Sequence, residues 1–128
     1  MGLSNDSQIK WSTSRDIQVF PTFQSMNLSE DLLRGIFALE IRRPSAIQQR
    51  ALVPILKSRH VIAQAQSGTG KTTMFSIASL QLVEKSSNEP QVIILSPTRE
   101  LAHQIHDSVI SFPISCMSLL FVSVEDNQ

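Results

Sequence analysis

The sequence has a single cysteine, no excess of charge of either sign and no long apolar run. Because Cys116 is the only cysteine among the 128 residues, no disulfide can form within the chain, and an intracellular, reducing compartment is the default expectation. Basic and acidic residues number 11 each, so net charge gives no indication of a nucleic-acid partner, and any basic surface must be local. No apolar run reaches the ~18 residues of a membrane span, so no membrane partner is expected.

The composition is that of one small globular domain. With 41% hydrophobic residues, 128 residues are enough for one domain with a core and too few for two. Residues 1–21 are polar and aperiodic, which predicts a flexible N-terminal arm. His103 and His106 stand three apart on a predicted helix without a third ligand, so a solvated helix face is favoured over a metal site.

A glycine-rich segment follows an apolar run at residues 60–64, a predicted buried strand, and leads into a predicted helix. Gly68 and Gly70 permit positive φ and close backbone approach, so successive N–H groups can converge on an anion at the helix N-terminus. Lys71 can bind the β- and γ-phosphates of a nucleotide, and the Thr72 hydroxyl can ligate Mg²⁺. The alternative is a glycine-rich turn before an ordinary helix. The predicted phosphate-binding residues are Ala65, which replaces the first glycine of the usual pattern, and Gln66, Ser67, Gly68, Thr69, Gly70, Lys71 and Thr72.

Three helices are predicted in the first two thirds of the chain. The first follows the N-cap Ser29 and has an apolar stripe. The stripe consists of Leu32, Leu33, Ile36 and Phe37. A second helix opens at Ser45 and extends to roughly Leu56, with Pro54 kinking or ending it. The third extends from the glycine-rich segment to about Glu84.

A second strand and a fourth helix complete the pattern. Residues 92–95 form a continuous apolar run of strand length, suited to a central parallel strand. The helix after them has apolar residues at core spacing: Leu101, Ala102, Ile105 and Val109. Two strands, each followed by a helix, predict an α/β fold with a parallel sheet and flanking helices. Residues 118–124 have the composition of an additional edge strand.

Two further segments resemble motifs of DEAD-box RNA helicases. Residues 39–48, Leu-Glu-Ile-Arg-Arg-Pro-Ser-Ala-Ile-Gln, resemble the Q motif, and residues 96–102, Ser-Pro-Thr-Arg-Glu-Leu-Ala, resemble motif Ia. With residues 65–72 as motif I, three motifs stand in the family's order and spacing. The amino-acid sequence of these segments most resembles that of the translation-initiation-factor branch of the family. The resemblance implies a partial N-terminal RecA-like domain at residues 22–112, incomplete at its C-terminal end, and a divergent tail at residues 113–128.

The resemblance implies an ATP-dependent RNA helicase, represented by an N-terminal fragment, with ATP and Mg²⁺ as cofactors and Lys71 and Thr72 as catalytic residues. Gln48 would read adenine, although from the residues alone Ser45 and Gln48 equally form a capping box. Arg43 and Phe23 would contact the base, and a core role is the alternative for Phe23. The chain has Glu-Ile at positions 40 and 41 where the family usually has Gly-Phe.

Motif Ia would hold RNA phosphates without reading sequence, through Pro97, Thr98, Arg99 and Glu100. From the residues alone, Arg99 and Glu100 are a solvated first helical turn. The branch also implies translation or RNA-processing factors as partners. The Asp-Glu-Ala-Asp sequence with which the family hydrolyses ATP does not occur in the chain, so weak ATP binding without turnover is expected. The alternatives are a truncated, non-catalytic nucleotide-binding or decoy protein and a small P-loop metabolite kinase, which should have an arginine-rich lid.

Overall fold

The computed structural model of the protein describes residues 10–114 and 119–123. Its helices are α1 (Glu30–Ala38), α2 (Ala46–Leu56), α3 (Lys71–Leu82) and α4 (Arg99–Ile110), and its strands are β1 (Val92–Ser96) and β2 (Leu119–Ser123). A short 3₁₀ turn, Phe23–Met26, precedes α1. In this described part of the chain, no helix combines the length and the apolar character that crossing a membrane requires.

The first two helices begin and end where side chains and turns satisfy their terminal backbone groups. Ser29 caps α1 as predicted, since its Oγ accepts a hydrogen bond of 3.3 Å from the Leu32 N–H. Helix α2 continues past Pro54, because a proline removes only one N–H, and the Lys57 N–H still donates to the Val53 carbonyl at 3.0 Å. The proline therefore does not end the helix early.

Both helices end in the same left-handed turn. Glu40 follows α1 with φ 59°, and Ser58 follows α2 with φ 56°. After α1, the N–H groups of Glu40 and Ile41 donate to the carbonyls of Phe37 and Ile36. This is the bonding of a Schellman motif, in which glycine is the preferred residue at the left-handed position. The chain therefore holds two side chains in a conformation that favours glycine.

The hydrophobic core lies where the 3₁₀ turn, α1, α2 and α3 meet. Its largest fully buried apolar side chains are Phe23, Leu32, Ile36, Leu52, Met74 and Ile77. The Ser29 N–H donates to Gln81 Oε1 at 2.9 Å, which ties the start of α1 to the end of α3. Of the predicted apolar stripe, Leu32 and Ile36 are buried, whereas Phe37 lies at the edge of that face and is 39% exposed.

Helix α4 packs on α3 and β1, with Ser76 Oγ and Ser108 Oγ 3.1 Å apart at the helix contact. Ile105 and Val109 are buried, as their spacing predicts. The spacing of Leu101 predicts a core position for it too, but Leu101 is exposed. It lies in the first turn of α4, about two helical turns before the contact at Ser108.

The two strands pair in parallel, with Val92 opposite Leu119 and Ser96 opposite Ser123. The sheet differs from the predicted one, because the described residues 60–64 form no strand and Ile62 among them is fully exposed. A strand needs a neighbour for its N–H and C=O groups, and β1 pairs with β2 rather than with this segment. The apolar run before the glycine-rich segment therefore has no paired strand beside it, and Ile62 is exposed while Val61 is partly buried against the core.

The N-terminal segment is anchored to α2 at two points. The Phe20 N–H donates to the Gln49 carbonyl at 3.0 Å, and the Arg50 guanidinium lies 4.8 Å from the centre of the Trp11 ring. Both aromatic side chains are partly buried against the core. The predicted loose arm is thus fixed from Trp11 onward in these two places, while residues 1–9 lie outside the described residues, as do residues 115–118 and 124–128 of the predicted tail.

Candidate nucleotide site

The glycine-rich segment forms a turn that leads directly into α3, which begins at Lys71. Gly68 and Gly70 have φ values of 77° and 91°, so both adopt the left-handed conformation. A Cβ on Gly70 would lie only 2.6 Å from Gln48 Nε2, whereas a Cβ on Gly68 would meet no atom within 4 Å. Position 70 therefore requires glycine for two reasons, its φ and its contact with Gln48.

The segment closes on itself through two side chains. Thr69 Oγ1 donates to the Gln66 carbonyl at 2.6 Å, and the Lys71 ammonium donates to the Ala65 carbonyl. Lys71 is half-buried and Thr72 is exposed. The first turn of α3 presents unpaired backbone N–H groups here, and the helix dipole adds partial positive charge. The turn, the ammonium and the hydroxyl together make a set of groups suited to a phosphate and its Mg²⁺.

Gln48 joins the Q-motif helix to the glycine-rich segment. Its Oε1 accepts from the Ser45 N–H at 2.9 Å, and its Nε2 donates to the Gly70 carbonyl at 3.0 Å. The side chain is only 3% exposed, and the neighbouring Ser45 Oγ is buried without a hydrogen-bond partner. The capping-box contact with the Ser45 N–H is formed, and the other half of the carboxamide holds the loop. The sequence alone did not predict the hydrogen bond from Gln48 to Gly70. The only feature of the sequence that points to this bond is the glycine immediately before Lys71.

The other two residues predicted to contact adenine, Phe23 and Arg43, form no hydrogen bond to the glycine-rich loop. Phe23 is completely buried in the core, which is the alternative that its sequence position left open. Arg43 is exposed in the turn before α2. Of the three residues predicted to contact the base, only Gln48 is hydrogen-bonded to residues 65–72.

The segment that resembles motif Ia connects the end of β1 to the start of α4. Thr98 is the N-cap, and its Oγ1 accepts from the Leu101 N–H at 3.3 Å, while Ser96 Oγ donates to the Thr98 carbonyl at 3.0 Å. The predicted RNA-contacting side chains are all exposed: Pro97, Thr98, Arg99 and Glu100. Both segments with predicted phosphate contacts thus lie at helix N-termini, where anions are stabilised.

Two cavities lie elsewhere, and none of residues 65–72 lines either of them. One of about 810 Å³ lies between residues 11–17, α2 and residues 59–64. The other, of about 580 Å³, lies beside the 3₁₀ turn and the end of α3. Across residues 10–114 and 119–123, no three His, Cys, Asp or Glu side chains are placed to hold a metal ion.

Comparison with known proteins gives the same family as the sequence motifs. The family profile for DEAD/DEAH box helicases matches residues 45–127. Eukaryotic initiation factor 4A of Dictyostelium discoideum is 64% identical over 93 residues, covering 73% of this chain and 23% of the relative. ATP-dependent RNA helicase FAL1 of Chaetomium globosum is 55% identical over 106 residues, covering 83% of this chain and 27% of the relative. The chain thus spans about a quarter of the length of these relatives.

Solved structures give the same assignment. Dbp5 of S. cerevisiae bound to RNA and ADP BeF3 superimposes with a TM-score of 0.72 at 35% identity, covering 81% of this chain and 32% of that chain. A DEAD box protein from Methanococcus jannaschii gives 0.70 at 28% identity, covering 84% of this chain and 35% of that chain. The fold is accordingly a partial RecA-like domain, and the resemblance to DEAD-box RNA helicases is confirmed. The chain belongs to the DEAD/DEAH box helicase family.

Proposed function

We propose that the chain supplies an ATP-binding site and an RNA contact of an ATP-dependent RNA helicase. The observation that carries the proposal is the bond from Gln48 Nε2 to the Gly70 carbonyl, which fixes the glycine-rich loop at the start of α3 against the Q-motif helix. A loop held in this way needs little reorganisation to receive phosphates, and preorganisation of this kind increases affinity. The names of the relatives and the RNA-bound Dbp5 neighbour support ATP and RNA as ligands.

Each group of the loop has a role in this proposal. The α3 N-terminus and the backbone N–H groups around Gly68 and Gly70 bind the phosphates. Lys71 exchanges its bond to the Ala65 carbonyl for a phosphate oxygen, and the Thr72 hydroxyl ligates the Mg²⁺ of Mg-ATP. Bound Mg²⁺ supplies charge neutralisation at the phosphates. Around the start of α4, Pro97, Thr98, Arg99 and Glu100 provide a contact to the RNA backbone that does not read sequence.

Thermal unfolding with and without Mg-ATP tests nucleotide binding. A ligand that binds the folded state raises the melting temperature as its concentration exceeds the dissociation constant. Mg-ATP is expected to raise it for the native chain and for Lys85→Ala, which removes an exposed lysine outside the loop. Lys71→Ala is expected to lose the shift. A shift that persists in Lys71→Ala would reject the loop as the phosphate site.

Binding of inorganic tripolyphosphate, which has no adenine, distinguishes two possible roles of Gln48: holding the loop and reading the base. If Gln48 acts by holding the loop, Gln48→Ala weakens ATP and tripolyphosphate by a similar factor, about tenfold for one lost hydrogen bond of typical strength to a well-packed partner. If it reads adenine, only ATP is weakened and the preference over GTP is lost. Because its carboxamide already bonds Ser45 and Gly70, we expect the first result. Competition against a fluorescent nucleotide measures both affinities.

A non-catalytic nucleotide-binding protein is the second candidate. In P-loop enzymes, an acidic residue holds Mg²⁺ for hydrolysis, and residues 65–72 themselves supply no acidic residue. Under this candidate the polypeptide binds Mg-ATP and releases no phosphate, with or without single-stranded RNA. RNA-stimulated phosphate release by the purified chain would reject it.

A further inference from the structure

Two consecutive hydrogen bonds connect α4 to a residue of the nucleotide loop. Ser76 lies one turn after Thr72 in α3, and its Oγ donates to the Thr72 carbonyl at 3.0 Å. The same Oγ lies 3.1 Å from Ser108 Oγ of α4. Because Ser76 is completely buried, water cannot replace either partner. The buried hydroxyl of Ser76 therefore depends on both contacts.

Only one arrangement of hydrogen atoms satisfies the two contacts of Ser76. A hydroxyl has one hydrogen and two lone pairs, and a carbonyl can only accept. The hydrogen of Ser76 therefore points at the Thr72 carbonyl, and Ser108 donates to Ser76 Oγ. A hydroxyl that accepts a hydrogen bond becomes a stronger donor. The bond from Ser108 thus strengthens the bond that Ser76 makes to Thr72.

The Thr72 side chain depends on its backbone for its orientation. Thr72 is exposed, and its hydroxyl makes no hydrogen bond within the part of the chain that the structure describes. The first turn of a helix lacks partners for its N–H groups, so it is more easily reoriented than the middle. A serine that bonds the carbonyl four residues earlier tilts that carbonyl and bends the helix slightly. Ser76 therefore sets the direction in which the Thr72 hydroxyl points.

We propose that Ser76 and Ser108 are positioning residues for coordination of Mg²⁺ by the Thr72 hydroxyl. Ser76 fixes the first turn of α3 through the Thr72 carbonyl, and Ser108 fixes Ser76 from α4. The inference rests on the proposed nucleotide function and adds to it two residues that do not belong to the loop. The alternative is that the two serines only pack α3 against α4, in which case replacing them alters stability without altering the contribution of the metal.

The ratio of the ATP dissociation constants without and with Mg²⁺ measures what the metal contributes. Competition against a fluorescent nucleotide, in EDTA and in excess Mg²⁺, gives both constants for the full chain. Ser76→Ala is expected to lower the ratio about fivefold, the effect of one typical hydrogen bond, with unchanged affinity in EDTA. Ser108→Ala is expected to lower it about twofold, because Ser76 still bonds Thr72. Ser108→Thr keeps the hydroxyl and should retain the native ratio.

Ser79→Ala is the matched control. Ser79 is a buried serine of the same helix, and it bonds neither Thr72 nor Ser108. Its replacement should leave the ratio unchanged, whatever its effect on the melting temperature. A Thr72→Ala background provides the second check, since it removes the hydroxyl that Ser76 is proposed to orient. In that background Ser76→Ala should not change the ratio further, because both substitutions act on the same contact.

The possible failures of this inference and of the nucleotide proposal are distinguishable. If Ser76→Ala leaves the ratio at its native value, or lowers it equally in the Thr72→Ala background, the serines serve packing alone and the nucleotide site stands. If the native chain binds ATP equally with and without Mg²⁺, the role of Thr72 and this inference are both rejected. If it binds no ATP at all, the proposed function is rejected, and the inference with it.

Discussion

Glu40 adopts a backbone conformation that suits glycine. Its φ of 59° is required by the turn in which its N–H and that of Ile41 close the end of α1. A side chain in this region costs about 1–2 kcal/mol, because its Cβ approaches a backbone oxygen. Glu40 therefore carries a local energetic cost at the end of α1.

Glu40→Gly is accordingly expected to raise the free energy of unfolding by roughly 0.5–1 kcal/mol, the relieved strain less the greater chain entropy of glycine when unfolded. Glu40→Ala is the matched control, because it removes the same charge from the helix end and keeps the Cβ. Urea denaturation of the three proteins measures the difference. Equal stabilisation by alanine and glycine would mean that charge, and not backbone conformation, is the cause.

At the scale of elements, the glycine-rich loop and α2 act as one unit. Gly70 serves the loop through its φ of 91° and serves the helix contact through its carbonyl, which accepts from Gln48. Gly68 has a similar φ of 77°, but open space surrounds its missing side chain. A substitution at Gly68 would therefore introduce backbone strain alone, whereas a substitution at Gly70 would also disturb the contact between the loop and α2.

Gly70→Ala is expected to destabilise the chain by about 1 kcal/mol more than Gly68→Ala, because it adds the loss of the Gln48 bond to a comparable φ strain. It should also reduce the rise in melting temperature that Mg-ATP produces, since the displaced Gln48 no longer fixes the loop. Chemical denaturation and thermal scans with Mg-ATP measure the two effects. Indistinguishable behaviour of the two variants would show that the Gln48 contact contributes nothing beyond backbone strain.

The sequence predicted the elements that local signals define. Ser29 and the capping pattern around Ser45 and Gln48 located the starts of α1 and α2, and the glycines located the start of α3. Predictions that depended on neighbours were less successful. Residues 60–64 have the composition of a strand, but strand formation depends on a pairing partner that composition cannot specify. The bond from Gln48 to Gly70 spans 22 positions, and no local pattern encodes such a contact.

At the scale of the whole molecule, the described structure leaves apolar surface without cover. Ile93 and Leu95 are 62% and 64% exposed on one face of β1, since side chains two apart in a strand share a face. Exposed aliphatic side chains on a short sheet promote association between molecules. Zero net charge adds no electrostatic repulsion to oppose it.

Replacing Ile93 and Leu95 together by lysine is therefore expected to reduce concentration-dependent self-association while leaving the melting temperature of the dilute protein nearly unchanged, because neither side chain is in the core. Light scattering across a concentration series measures association. The control is the pair Asn88→Lys and Gln104→Lys, which adds the same charge at exposed polar positions. If the control pair reduces association equally, net charge is the governing factor. If only the strand variant does so, the uncovered face of β1 is the surface through which copies of the chain meet.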